Sequence, residues 1–389
     1  MKRWWKIVRL VGALTAVCLF APIAHAQQQP TLTPTPPPPG VVLPTPTAVP
    51  TALFATHPQP LPDLQPITRA NAASLQPLFT LQCRLTGMAG TGYQPAIYEV
   101  LLSPVDNRLV VVANDIICIY DLDNPAAAPI TLEASRIGAE SGGFFGPDGQ
   151  AFYTLHNEYV IRKWDALTGE ALPTELEGVY LPNVQQNLAL SPDGTQLATG
   201  SRLWLRLWDM VTSTNIVSAN VGRVTAVAWS SNGTRLATIE EGRPALYTLH
   251  PGPLLFRDTV LEPVGNGAGL AFGGADGNLL AYTSPEGEGV TVLNITSGEI
   301  VAAPDIDSTV QSGFYQQELV FSPVDPLLLA GTGREIFTLW NVAADQHLWD
   351  YVVNPNLLSG GPHQAAFNAD GTLLVLAVGE VIAVFGVSS

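Results

Sequence analysis

Positive charge is scarce in this chain. Its 389 residues hold 17 Lys plus Arg against 33 Asp plus Glu, a net charge of −16. That excess of acid repels the phosphate backbone on which most nucleic-acid affinity rests, and so excludes DNA or RNA binding. Charge of either sign is also thin, 13% of residues against 47% hydrophobic, which leaves ample apolar surface for a core and excludes disorder of the whole chain. Methionine is nearly absent (3), whereas glycine (35) and proline (33) are abundant, the composition of a turn-rich β protein. The six histidines include no His-Glu-x-x-His or comparable ligand spacing, which argues against a histidine metal site.

The N-terminus reads as an export signal. Lys2, Arg3, Lys6 and Arg9 form a basic region, Ile7 to Ile23 is mostly apolar, and Ala24-His25-Ala26 places small residues at a cleavage site after Ala26. Retention of this stretch as an anchor is the alternative, although it is short for a spanning helix of about 20 residues. Without residues 1–26 the net charge falls to −20. Thr15-Ala16-Val17 before Cys18 does not resemble a lipobox. Cys83 and Cys118 would then meet an oxidising compartment, either as one disulfide or as two buried thiols. Residues 27–67 follow as a linker. From Gln27 to Pro66 there are 13 prolines in 40 residues with one charge, Asp63, a segment that cannot bury enough surface to fold and favours extended conformations.

Residues 68–389 are built on a repeat. A turn recurs as Ser103-Pro104-Val105-Asp106, Gly146-Pro147-Asp148-Gly149, Ser191-Pro192-Asp193-Gly194, Ser231-Asn232-Gly233, Ala275-Asp276-Gly277, Ser322-Pro323-Val324-Asp325 and Ala369-Asp370-Gly371. The mean period is 44 residues over seven copies. A second marker, the bulky end of a third strand, keeps the same phase at Tyr120, Trp164, Trp208, Tyr247, Leu293, Trp340 and Phe385. Four short strands per unit of this size predict an all-β, seven-bladed propeller of four-stranded antiparallel blades. The last unit ends at Ser389 without an outer strand, so Leu75 to Leu81, which has strand composition, is expected to supply it and close the ring.

The pattern resembles the WD-repeat family over residues 75–389, with Trp164-Asp165 and Trp208-Asp209 as its literal dipeptides and Tyr120-Asp121, Trp340-Asn341 and Phe385-Gly386 as degraded ones. The family's Gly-His pair and most of its turn aspartates are missing. Only Asp165 to Gly169 matches the Asp-x-x-Thr-Gly turn of quinoprotein propellers. The resemblance implies a non-enzymatic, monomeric platform for proteins or other ligands, without cofactor or metal. The alternatives are an envelope enzyme of hydrolase or quinoprotein type, or a binder of wall polysaccharide using Trp204 and Trp349.

Other motifs read as connections. Ala139-Glu140-Ser141-Gly142-Gly143 and Gly265-Asn266-Gly267-Ala268-Gly269 lie between strands, and a phosphate loop must instead open a helix. The acidic pairs Asp121/Asp123 and Asp305/Asp307 continue into no calcium-loop pattern. Asn232 and Asn294 head glycosylation sequons. Trp204 and Trp349 fall off the aromatic register and are candidate surface anchors. In a propeller, loops joining strands two and three emerge on the same face as the blade-to-blade connections. Here they carry Asp115, Glu158, Glu240, Glu241, Glu286, Glu288, Glu335 and Glu380, with Glu133, Glu140, Glu175, Glu177, Glu262, Asp305 and Asp307, against Arg136, Arg202, Arg223, Arg243 and Arg334. That face is the candidate binding surface, suited to a basic or cation-bridged protein partner.

Overall fold

The 44-residue period becomes seven antiparallel sheets, six of them each one sequence repeat and the seventh completed by N-terminal strands. In the computed structural model the described residues are 60–83, 97–113, 116–133, 142–156, 160–177, 187–249, 255–260, 269–283, 289–304, 318–332, 336–352, 363–379 and 381–389. Blade 1 comprises Ile97–Leu102, Arg108–Ala113, Ile116–Asp121 and Ile130–Glu133. Blade 2 comprises Gly143–Phe145, Ala151–His156, Val160–Asp165 and Ala171–Glu177. Blade 3 runs through Leu188–Leu190, Gln196–Gly200, Trp204–Asp209 and Thr214–Asn220, and blade 4 through Val224–Trp229, Arg235–Glu240, Arg243–Leu249 and Leu255–Val260. Blade 5 has Leu270–Gly273, Leu279–Thr283, Val290–Asn294 and Ile300–Ala302. Blade 6 has Glu318–Phe321, Leu327–Thr332, Ile336–Asn341 and Gln346–Val352. Blade 7 supplies His363–Phe367, Leu373–Val378 and Val381–Ser388. The first strand of each blade neighbours the first strand of the next, and that of blade 7 returns to blade 1, so the sheets form a closed ring.

The reason for the ring lies in the second strands. Side chains alternate across a strand, yet Arg108–Ala113 reads Leu-Val-Val-Val-Ala after its first residue, apolar on both faces. Leu109, Val111 and Ala113 pack against blade 7, while Val110 and Val112 pack against blade 2. A sheet apolar on both faces must be covered on both, and a ring of blades covers every one. The core is accordingly seven clusters, one between each adjacent pair of blades. The seven third-strand markers each pack against the preceding blade, with Leu293 and Trp340 only half-buried. Each fully buried side chain of that size contributes about 1.5–3 kcal/mol.

The acidic or amide residue that follows five of these seven markers has a local task. Asp165 Oδ1 accepts from the main-chain N–H groups of Leu167 (2.9 Å) and Thr168 (2.8 Å), and Asp209 Oδ1 from those of Val211 (2.9 Å) and Thr212 (2.8 Å). Asn294 does the same for Thr296 and Ser297, which explains why an amide can replace the carboxylate. These are side-chain-closed turns leading into the outer strand. The first-to-second strand turns work likewise: Asp193 Oδ1 accepts from Thr195 N (3.0 Å) and Ser191 Oγ (2.6 Å), and Gly194 behind it needs φ +71°.

Closure occurs as expected. Gln76–Gln82 pairs antiparallel with Val381–Gly386 and becomes the outer strand of blade 7. Pairing in fact starts earlier, since Leu64–Gln65 pairs with Val387 and Ser388, ahead of the expected boundary at residue 68. Ile67 N donates to Gly371 O at 2.7 Å, and a short 3-10 turn, Ala72–Ser74, lies against the outer strand of blade 6. Cys83, just past the closing strand, is joined to Cys118 in the third strand of blade 1, with Cα atoms 5.7 Å apart. Among the described residues no helix is long and apolar enough to cross a membrane.

Candidate functional site

Of the eight acids that define the expected contact face, Asp115, Glu158, Glu286, Glu288, Glu335 and Glu380 lie outside the described residues. So do Glu140, Glu262, Asp305, Asp307, Arg136 and Arg334, and both glycine-rich connections in large part. Glu240 and Glu241 are described, and neither stands as a free surface acid. Glu240 ends the second strand of blade 4 and is 2% exposed. Its Oε1 accepts from Thr238 Oγ1 at 2.8 Å and from the Tyr247 hydroxyl. The reason is strand alternation, which turns Glu240 into the sheet beside the marker tyrosine instead of out on the loop.

Glu241 is exposed but folded back. With φ +49° it is left-handed, and its Oε1 accepts from Arg223 N at 2.6 Å. Gly222 makes this possible, because a Cβ there would stand 2.8 Å from Glu241 Oε1. Three loops of blades 3 and 4 are thereby tied together. Val221 N donates to Leu203 O (3.1 Å), Val224 N to Ser201 O (2.9 Å) and Glu241 N to Arg223 O (2.8 Å). Arg202, Arg223 and Arg243 are exposed on these three loops, with Leu203 55% exposed among them. The described corner of the face therefore exposes three arginines beside Glu241.

Inside the blades, part of a polar network appears. Trp164 Nε1 donates to Thr154 Oγ1 (2.8 Å), which contacts His156 Nε2 (2.9 Å); Trp208 Nε1 donates to Thr199 Oγ1 (2.9 Å). Burial, followed by the nearby Arg162 guanidinium, pulls the His156 imidazole down to about 4. His156 thus sits neutral in the sheet. His347 instead pairs with Asp350 at 2.7 Å in the outer strand of blade 6. His57 and His250 lie outside the described residues, and among those described no cluster of His, Cys, Asp and Glu could hold a metal.

Around the ring axis, the inner strands of blades 6, 7 and 1 present Glu318, Gln364 and Glu99 at one level, opposite Gly331, Ala377 and Val112 of their second strands. Burial, and secondarily the Glu318 charge, raises the Glu99 carboxyl well above the usual carboxylate range. Sequence reasoning missed these acids because a single Glu inside an apolar strand looks like a solvent-facing residue.

The surface aromatics divide. Trp204 is half-buried beside Asn220 at the blade 3 corner. Trp349 is 9% exposed, stacked on Tyr351 (centroids 6.1 Å) and edge-on to Phe385 (5.4 Å), so it belongs to the core between blades 6 and 7. The segment Ile67–Leu75 contributes to that same core. The two tryptophans therefore form no shared platform. The Asn232 amide donates to Asp276 O at 2.9 Å, which engages the nitrogen a glycan would need. No family model matches the chain, and no curated protein matches it either.

Proposed function

We propose that this chain is an exported, non-enzymatic propeller of WD-repeat type whose loop face serves as a binding platform. The observation that carries the reading is the blade 3–4 corner. Three loops are locked to one another by main-chain hydrogen bonds, which holds charged side chains at fixed positions on a ring packed through seven interfaces. Rigid presentation lowers the ordering cost of association, which is what a platform requires. The WD-type assignment is supported by the Trp-Thr hydrogen bonds of blades 2 and 3 and by the aspartates that close the following turns. Export is supported by the basic, apolar and small-residue order of residues 1–26.

The test is capture of partners from the host's envelope and culture fluid with the exported chain, washed at low and high salt. A discrete partner released by salt supports the platform reading; repeated absence of any partner refutes it. N-terminal sequencing of the exported chain should start at Gln27, and a start at Met1 refutes cleavage.

A second reading rests on Glu99 and Glu318. A carboxyl whose proton affinity is raised by burial, near a second carboxylate, is an arrangement that general acid and base catalysis in hydrolases uses. Loss of a hydrolytic activity on Glu99→Gln, with the fold intact, would favour it over the platform.

A further inference from the structure

We infer that the blade 3–4 corner is a docking site for a short acidic segment of a partner protein. This deepens the platform reading and rests on it. The motivation is charge segregation. Downstream of Ala26 the chain has a net charge of −20, yet blades 3 and 4, residues 187–260, hold six arginines against five acids. Everything else downstream of Ala26 holds seven Lys and Arg against 28 Asp and Glu.

Structure sharpens this balance into a local patch. Of the five acids, Glu240 is buried and Glu241 is folded onto the Arg223 main chain. Asp193 and Asp209 close turns after the first and third strands, at the other end of the blade, and the fifth, Asp258, belongs to the outer strand of blade 4. The guanidinium groups of Arg202 and Arg243 are prominent exposed charges among the described residues of the corner, with Arg223 exposed beside them. Guanidinium pairs with carboxylate in a planar, two-point manner, so spaced arginines suit a run of Asp and Glu side chains. Leu203, 55% exposed among them, offers a contact for one apolar residue in that run.

The same segregation sets the length of the occupant. A long uniform polyanion, whether nucleic acid or acidic polysaccharide, would run off the corner into the acidic remainder of the molecule. Repulsion acts over about 10 Å at moderate salt, so a segment confined to the corner escapes it. A few residues bound locally pair with Arg202 and Arg243 without that penalty.

The experiment uses the full exported chain and a fluorescein-labelled peptide, Glu-Asp-Glu-Leu-Asp-Glu, followed by fluorescence anisotropy at low and high salt. Binding should be saturable, weaken at high salt, and fall at least about tenfold in R202E/R243E, with R202Q/R243Q intermediate. Unchanged melting temperatures confirm that both variants fold, since both positions are exposed. Equal peptide binding by the wild type and R202E/R243E overturns the proposal, as does the absence of saturable binding. Tighter binding of a heparin fragment than of the peptide overturns it in favour of a polysaccharide. Concentration-dependent dimerisation lost in R202E/R243E overturns it in favour of a second copy of this chain. A partner captured from the envelope whose retention survives R202E/R243E leaves the platform standing and removes the corner from it.

Discussion

Replacing Phe79 with alanine should weaken the whole ring. Phe79 sits in the closing strand, paired with Val384, and is 2% exposed in the cluster between blades 7 and 1. Its neighbours there include Leu81, Leu373, Val375, Ala377 and Ile382, which all belong to blade 7 as completed by the closing strand. Truncating a buried Phe removes its transfer energy and leaves a cavity, a cost of about 3–5 kcal/mol. For a domain larger than about 150 residues each kcal/mol moves the melting temperature by about 2–4 °C or less, so a drop of about 5–15 °C is expected. The cost falls on the whole domain because this strand is the longer of the two N-terminal strands that pair with the last strand of blade 7, and an open sheet edge exposes unpaired backbone. The assay is scanning calorimetry of the full chain, with Phe79→Leu as a control that keeps most of the volume. A loss below about 1 kcal/mol for Phe79→Ala would show that the strand does not bear on closure.

The Cys83–Cys118 bond spans 35 residues, and removing it as C83S/C118S should cost about 3–4 kcal/mol in the chain-entropy account, read by denaturant melts with and without reductant; equal midpoints would contradict it. His156 has a folded value near 4, below its ordinary 6.5, so the unfolded chain binds the proton first as pH falls. Stability should therefore drop as pH falls from about 6.5 toward 4, and a His156→Gln variant should lack that slope in urea midpoints measured across the range. The carboxyls of Asp165 and Asp209, held below the usual range first by main-chain N–H donors, and of Asp193, held there first by the Ser191 hydroxyl, add stability that is intact above the ordinary 3.8 and lost as pH falls through their folded values. Acid titration by circular dichroism checks this, and Asp165→Asn should melt above Asp165→Ala because the amide oxygen still closes the turn. Gly222→Ala should free the Glu241 side chain from Arg223 N, visible as faster amide exchange at Arg223; unchanged exchange would deny glycine that role.

The blades were legible in the sequence because each repeat carries its own punctuation. The aspartates at 148, 193 and 370 bond their own turns, so local chemistry alone marks the strand ends. The closing strand was legible too, since a last blade with three strands leaves an edge to fill. Less visible was the segment before it. Leu64 and Ile67 follow a proline-rich stretch and show no strand period, yet Leu64 pairs with Ser388 and Ile67 packs between blades 6 and 7. Trp349 misled for a related reason. It departs from the third-strand register because it lies on the fourth strand, and that strand is covered only when the N-terminal segment folds over it.

What the sequence by itself determined is the number of blades, the order of their strands and the side of each strand that faces a neighbour. All of these follow from interactions within a few residues: alternation, turn closure and the recurrence of one bulky side chain. Tertiary structure alone decided which charges reach the surface. Glu240 and Glu241 are adjacent in sequence, but one is drawn beside Thr238 and Tyr247 and the other onto the main chain of the next loop. Two neighbouring glutamates part company because burial and hydrogen bonding depend on where distant loops meet, which no local pattern records.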